Sequence, residues 1–384
     1  MKHFEVRSIL PSRRVVLAGF FVVGLTTALQ AESPFDAGGL ATLEREARDP
    51  GTNLHSLLIE RGGRIQFEMY RNGADETLDS LGGLGTLCSS ETKFDANTLH
   101  DVRSVSKSIT SLLWGIPEYQ RILPDLGSSV LSHYPDVEEF QELPSSEKPA
   151  LDKRRITVRN LFQMNSGLAW EEWVSPVMSD ELRLLWKSSH VSFLMDRSLV
   201  HEPGQKFNYN GGGTAVLADL LVRTTGKPLI DIAREKLFDP LEIKDFKWAL
   251  DLRDRPMPHA GLRLRPRDMM KIGRLVLNGG VWNGKQIIRR DWIEISTRSH
   301  LDTGVTLLSG NEQSMGYGYQ WWTGSSVVKG KQIDWTTAVG NGGQRIFVVP
   351  SFDLVVVTTA GDYGKVAIQG KIGRLFERVL EVVQ

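Results

Sequence analysis

The chain has 384 residues, 41% hydrophobic and 24% charged, with 46 basic side chains balanced by 46 acidic ones. This excludes a disordered chain, which combines low hydrophobicity with high net charge, and argues against a nucleic-acid binder, whose contact face is strongly basic. The length suits one large or two medium domains, and a lone cysteine, Cys88, excludes an internal disulfide or a thiolate cluster for a metal.

The first elements in chain order belong to an address. Lys2, Arg7, Arg13 and Arg14 are followed by the uncharged run Val15 to Leu29 and a small-residue region ending at Ala31. This is the layout of a secretory signal over residues 1–31, and Ser12-Arg13-Arg14-Val15-Val16-Leu17 has the look of a twin-arginine signal. No cysteine follows the run to carry a lipid anchor. Beyond it no stretch approaches the ~20 apolar residues of a membrane span. The expectation is a periplasmic or secreted protein with no stable membrane insertion once the signal is removed.

Ser56 to Glu60 and Arg64 to Tyr70 alternate in polarity around Arg61-Gly62-Gly63 and predict a β-hairpin. Ile346 to Pro350 and Leu354 to Thr359 repeat the pattern around Ser351-Phe352-Asp353, and Val366 to Val383 has helical spacing. Between these ends, from about Pro124 to Ala249, helical periodicity is broken by Pro, Gly and charged loops. The fold class expected is therefore α/β (α+β): an antiparallel sheet flanked by helices, built from residues 32–123 and 250–384, with a mainly helical domain over 124–249.

The segment Ser104 to Ile116 carries the chemistry. Ile109, Leu112, Leu113 and Ile116 form one apolar helical stripe, with Ser104 at its start and Lys107 three residues on, facing the same way. A hydroxyl beside an amine at a helix N-terminus has the ingredients of an activated nucleophile. Burial is expected to lower the Lys107 pKa. Ser-x-x-Lys recurs at Ser90/Lys93, Ser145/Lys148 and Ser326/Lys329, but none of these opens an apolar helical stripe.

Ser104-Val105-Ser106-Lys107-Ser108 resembles the nucleophile motif of the serine β-lactamase-related hydrolases, a group that includes class C β-lactamases, D-alanyl-D-alanine carboxypeptidases, family VIII esterases and nylon-oligomer hydrolases. Further blocks follow in the family's order: Ile156 to Leu161 with Met164 to Leu168, Pro203 to Asn210, Gly261-Leu262-Arg263 with Pro266-Arg267-Asp268 and Asn278-Gly279-Gly280, and Gly340 to Gln344. The resemblance implies a β-lactamase/transpeptidase-like fold and an acyl-enzyme. In it Ser104 is the nucleophile, Lys107 and Tyr209 shuttle protons, and the backbone amides of Ser104 and Gln344 form the oxyanion hole. Asn210, Asn341, Gly342 and Gly343 are the residues it points to for substrate contact. Trp170, Trp173, Trp321 and Trp322 cluster near these blocks and either pack in the core or line the substrate groove, Trp170 being the candidate for substrate contact.

Two motifs depart from the family. Its usual Tyr-x-Asn reads Tyr209-Asn210-Gly211, and its Lys-Thr-Gly reads Asn341-Gly342-Gly343, without the cation that meets a β-lactam carboxylate. The second change shifts the expectation from β-lactam toward ester or amide substrates, with a class C-like β-lactamase or D-alanyl-D-alanine carboxypeptidase, or a silent binding protein on the same scaffold, as alternatives. Tyr70-Arg71-Asn72 and Ser309-Gly310-Asn311 copy family motifs out of place. Gly279 to Lys285 copies a P-loop without the Ser or Thr that holds magnesium, and reads better as a tight turn at Trp282-Asn283-Gly284. The eight histidines have no ligand spacing. No metal or cofactor is implied, and the partner expected is a small molecule.

Overall fold

The computed structural model describes residues 35, 37–78, 90–141, 149–172 and 179–383. The signal-like segment 1–31, Cys88, the Ser145/Lys148 pair and Trp173 lie outside the described residues. The main helices are α1 (Ala37–Ala47), α2 (Val105–Trp114), α3 (Gly211–Thr225), α4 (Pro266–Leu277) and α5 (Ala367–Val382). The main strands are β1 (Leu54–Arg61), β2 (Arg64–Tyr70), β3 (Leu301–Asp302), β4 (Gly316–Tyr317), β5 (Trp322–Val328), β6 (Lys331–Gly340), β7 (Gln344–Val349) and β8 (Leu354–Ala360).

These eight strands form one antiparallel sheet in the order β3-β4-β5-β6-β7-β8-β1-β2. The two ends of the chain meet where β1 pairs with β8, Leu57 opposite Thr358 and Ile59 opposite Val356. Side chains alternate strictly across the central strands. Ala338, Ile346, Val348, Val355 and Val357 join the cluster formed with α2 and α4. Val339, Phe347, Val349, Leu354 and Val356 join the cluster formed with α1 and α5. Because helices cover both faces, β8 reads as the unbroken buried run Leu-Val-Val-Val-Thr-Thr-Ala.

Both predicted hairpins form. Gly62 and Gly63 turn the first with positive φ, and Asp353, at φ 48°, closes the short turn of the second. The P-loop look-alike is a two-residue Asn283-Gly284 turn, both residues at positive φ, between Val281–Trp282 and Lys285–Gln286.

The segment between α2 and β3 supplies short helices, among them Val158–Phe162, Asp180–Leu184 and His190–Met195. They gather around α3 in a core that also contains Leu58 and Ile346 of the sheet, so the helical stretch and the sheet share one apolar cluster. Among the described residues, no helix is long and apolar enough to cross a membrane.

Helix α2 runs through the middle of that cluster, and all ten of its residues are buried. The predicted stripe of Ile109, Leu112 and Leu113 is there; Gly115 ends the helix, and Ile116 is buried beyond it. The polar face is buried too, which an amphipathic pattern does not anticipate. Part of it is kept by hydrogen bonds to neighbouring backbone: Ser108 donates to the Gln320 carbonyl at 2.5 Å and Thr110 to that of Pro258 at 2.9 Å, while the Ser111 hydroxyl has no partner among the described residues. Buried hydroxyls without such partners would cost on the order of 1–3 kcal/mol each.

Candidate active site

Ser104 occupies the N-cap position of α2, yet its side chain makes no capping bond. The hydroxyl is free for other partners, and it has two. Lys107 Nζ donates to Ser104 Oγ at 3.1 Å, and the Tyr209 phenol shares a hydrogen bond with the same group. Lys107 Nζ lies 4.8 Å from the Tyr209 ring centre. Arg103, immediately before Ser104, sits at φ 49°, a conformation that costs a non-glycine residue of order 1–3 kcal/mol. It is held by a bond from its guanidinium to the Glu76 carbonyl at 2.7 Å and by stacking over the Tyr363 ring at 4.1 Å. The structure thus brings Ser104, Lys107 and Tyr209 to one point.

The same point has two occupants that no motif announced. Lys107 Nζ is 3.1 Å from Glu172 Oε1, 3.1 Å from Glu181 Oε1 and 3.1 Å from the His259 carbonyl. Glu172 is itself fixed, accepting from Trp170 Nε1 at 2.6 Å and from the Gly211 amide that opens α3 at 2.9 Å. One ammonium faces two carboxyl groups, so the cluster carries a net negative charge beside the nucleophile whenever both are ionised.

This corrects the expectation of a lowered Lys107 pKa. Burial does pull it down, but Glu172 and Glu181 more than offset that and hold the ammonium above the ordinary lysine value. Burial pushes the Glu172 carboxyl up, Glu181 adds to the shift, and Lys107 opposes it. The Tyr209 phenol is also raised, by burial, against the pull of Lys107.

All of these groups except Lys107, which is buried out of reach of it, line a cavity of about 870 Å3. Ser104, Glu172, Glu181, Tyr209 and His259 form its floor, Trp322 and Asn341 one wall, and Leu182, Leu185, Met257, Leu307 and Val366 an apolar side and rim. Leu307 and Val366 are half exposed there. Trp322 stacks on Tyr209 at 5.7 Å, while the neighbouring Trp321 is core. The His259 ring is fully buried; among the described residues neither nitrogen is hydrogen-bonded, and Nε2 lies 3.9 Å from Glu181 Oε1. Burial, then Lys107, lowers its pKa to about 3, so it is neutral.

Several residues expected to touch substrate do other work. Asn210 caps α3, accepting from the Gly213 amide at 2.9 Å, which is why it follows Tyr209 directly. Trp170 is buried and orients Glu172. Gly342 and Gly343 form the β6–β7 turn at φ 94° and 104°, and a side chain on Gly342 would collide with the Tyr363 ring.

Gln344 is not brought to the cavity. It is fully buried at the start of β7, with its side-chain oxygen accepting from the Ala360 amide at 3.1 Å. Three residues earlier the chain does reach the nucleophile. A Cβ on Gly340 would stand 2.3 Å from the Val102 carbonyl, so only glycine lets β6 approach the strand leading into α2. Asn341 follows it at the cavity wall. Neither the Asn341 nor the Ser104 amide has a hydrogen-bond partner among the described residues.

A large antiparallel sheet flanked by helices, with a Ser-x-x-Lys helix start and a facing tyrosine, defines the β-lactamase/transpeptidase-like class. The Beta-lactamase family model matches residues 70–367, and the chain belongs to that family. It is similar to the 6-aminohexanoate-dimer hydrolase of Paenarthrobacter ureafaciens, 26% identical over 40% of this chain and 38% of that protein. It is also similar to the D-aminopeptidase of Brucella anthropi, 31% identical over 40% of this chain and 27% of that one. The alignments thus span less than half the length of these curated relatives. A solved penicillin-binding protein homologue from Caulobacter crescentus shares the fold, with a TM-score of 0.63 at 14% identity over 89% of this chain and 97% of that one.

Proposed function

We propose that this chain is a serine hydrolase that cleaves an ester or amide through an acyl-enzyme on Ser104. The single observation that carries the reading is the shared contact of Lys107 and Tyr209 with the Ser104 hydroxyl. Lys107 stays protonated between Glu172 and Glu181, so its part is electrostatic: it stabilises negative charge on Ser104 and Tyr209. The proton is carried by Tyr209. As the Ser104 oxygen bonds to the carbonyl carbon, the phenol relays in one concerted step: it gives its own proton to the leaving-group atom as that bond breaks and takes the proton of Ser104 in its place, so Tyr209 ends as the neutral phenol it began as. Water enters by the reverse route and releases the acid.

The oxyanion is assigned to the Ser104 and Asn341 amides, in place of Gln344, because these two are unpartnered while Gln344 lies outside the cavity. The net negative charge of the Lys107–Glu172–Glu181 cluster favours neutral or cationic substrates over anionic ones. The apolar rim suits an aliphatic or aryl acyl chain. The signal-like segment 1–31 supports work outside the cytoplasm, which cell fractionation with and without that segment tests.

Fluorophosphonate labelling of wild type and Ser104→Ala tests the core of the proposal: only the wild type is expected to label, and equal labelling overturns it. Parallel assays with p-nitrophenyl acetate, a linear amide oligomer and nitrocefin then fix the substrate class, with nitrocefin expected to be poorest.

A further inference from the structure

Behind the wall that holds Asn341 lies a second buried cation. Arg345, on β7 directly opposite Val339, is fully buried. Among the described residues it forms no ion pair, and its Nε and Nη1 groups have no hydrogen-bond partner. Burial lowers its pKa to about 9, which still leaves it charged at neutral pH. Its contacts are the Leu308 carbonyl at 3.4 Å, the Phe347 ring at 5.6 Å, and Gln369 Oε1 at 2.9 Å.

Gln369, on α5, turns its amide nitrogen to the Gly340 carbonyl at 3.0 Å. That carbonyl and the Asn341 N–H belong to the same peptide unit. A donor on the carbonyl draws electrons from the nitrogen and makes its N–H a better donor, and hydrogen bonds in such chains strengthen one another. The guanidinium, the Gln369 amide and the Gly340–Asn341 peptide are therefore dipoles in series, pointing positive toward the cavity. The Lys107–Glu172–Glu181 cluster places net negative charge on the floor. Acyl transfer moves negative charge toward Asn341 and a proton away from Ser104, so the charge separation follows the field that these two groups set up.

We propose that Arg345 is a positioning residue that, through Gln369, polarises the Gly340–Asn341 peptide and strengthens its N–H toward the oxyanion. The inference rests on the acyl-enzyme reading above and goes beyond it by placing a charge requirement outside the cavity. An uncompensated buried cation is costly to a fold, and this relay gives it a use.

The test compares Arg345→Met, which removes the charge, with Gln369→Glu, which neutralises it with a carboxylate and also removes the N–H that donates to the Gly340 carbonyl, breaking the relay at its second link. Both are expected to lower kcat for a neutral aryl ester by about tenfold, less than the hundredfold or more for deleting an oxyanion donor outright. KM is expected to be unchanged, and affinity for a boronic acid that mimics the tetrahedral adduct should fall by the same factor. Arg345→Lys should recover part of both.

A folded Arg345→Met protein with kcat and boronate affinity within twofold of wild type overturns the proposal, as does a change confined to KM. If Arg345→Met does not fold, Gln369→Glu decides, because the new ion pair is expected to support the fold while cancelling the field; wild-type kcat in that variant overturns the relay. Fluorophosphonate labelling of wild-type Ser104 reports on the parent reading separately: if it fails, the acyl-enzyme has failed, and not merely the relay.

Discussion

Lys107 and Arg345 are both cations with almost no contact with solvent, and the fold treats them in opposite ways. Lys107 has two carboxylates and a carbonyl within 3.1 Å. Arg345 has one side-chain amide, a distant carbonyl and the face of a phenyl ring. Moving a charge from water into a protein interior costs several kcal/mol even after relaxation, and a partner repays this only with close geometry. Around Lys107 the compensation exceeds the charge and turns the local sign negative. Around Arg345 it falls short and the local sign stays positive. Burial alone therefore does not tell what a charged side chain does. Its partners decide, and the relay proposed from Arg345 sets a potential at Asn341 opposite in sign to that of the Lys107 cluster.

The comparison breaks most visibly at Lys107. Replacing it with Met leaves two carboxylates facing each other without a cation, a loss of about 3–5 kcal/mol of stability. It also removes the charge that lets Ser104 and Tyr209 share a proton, so hydrolysis is expected to fall by at least ~10⁴-fold, in the range seen when one member of a catalytic unit is deleted. Urea midpoints and ester turnover measure the two losses. Adding Glu172→Gln to Lys107→Met should recover part of the stability and none of the activity. Tyr209→Phe is next. The ring still stacks on Trp322, so stability should change by only about 1 kcal/mol, while turnover drops by ~10²–10⁴-fold with the proton carrier gone.

Sequence made one of these environments half legible and the other not at all. Ser104 and Lys107 stand out because they are three residues apart on one helix, and local spacing survives in a sequence. Tyr209 needed the family's block order to find it. Glu172 and Glu181 are 65 and 74 residues from Lys107, in a loop and a short helix with no periodic pattern, and their meeting is purely tertiary. Their nearest sequence landmark is the Met164 to Leu168 block, and the pair Glu171-Glu172 falls just beyond it. That gap produced the wrong sign for the Lys107 pKa, since desolvation is foreseeable from a buried helix and a counter-charge is not. Gln344 was misplaced for a related reason. Strands and turn were read correctly, but which amide faces Ser104 depends on Gly340 touching Val102, a contact between residues far apart in the chain. The hairpins, the closing helix and the two-ended sheet were readable because alternation and turn residues are local.

Stability sharpens the contrast between the cations. Arg345→Met exchanges an unpaired buried charge for an apolar side chain of similar length, and such exchanges are neutral or stabilising by about 1–4 kcal/mol. The urea midpoint is expected to stay or rise, the reverse of Lys107→Met. A large fall would mean that Arg345 is held by compensation as strong as that around Lys107.

The smallest effect is a displacement on the pH axis. Glu172 titrates above the ordinary glutamate value of 4.5, because burial and the Glu181 charge both favour its protonated form against the pull of Lys107. Protonating it as pH falls cancels the net negative charge that holds Lys107 beside Ser104. The acid limb of kcat/KM should therefore lie above pH 4.5. Glu181→Gln removes one of the two causes, so the limb should move to lower pH, by about one unit, equivalent to roughly 1.4 kcal/mol. On the alkaline side, the Tyr209 phenol is raised above its usual value of 10. Its ionisation should therefore add no falling limb below pH 10, and a partial fall in kcat near pH 9 is expected instead from Arg345 losing its charge. An acid limb that stays in place in Glu181→Gln would mean that the two carboxylates do not share the Lys107 charge, and the asymmetry between floor and wall would then rest on Glu172 alone.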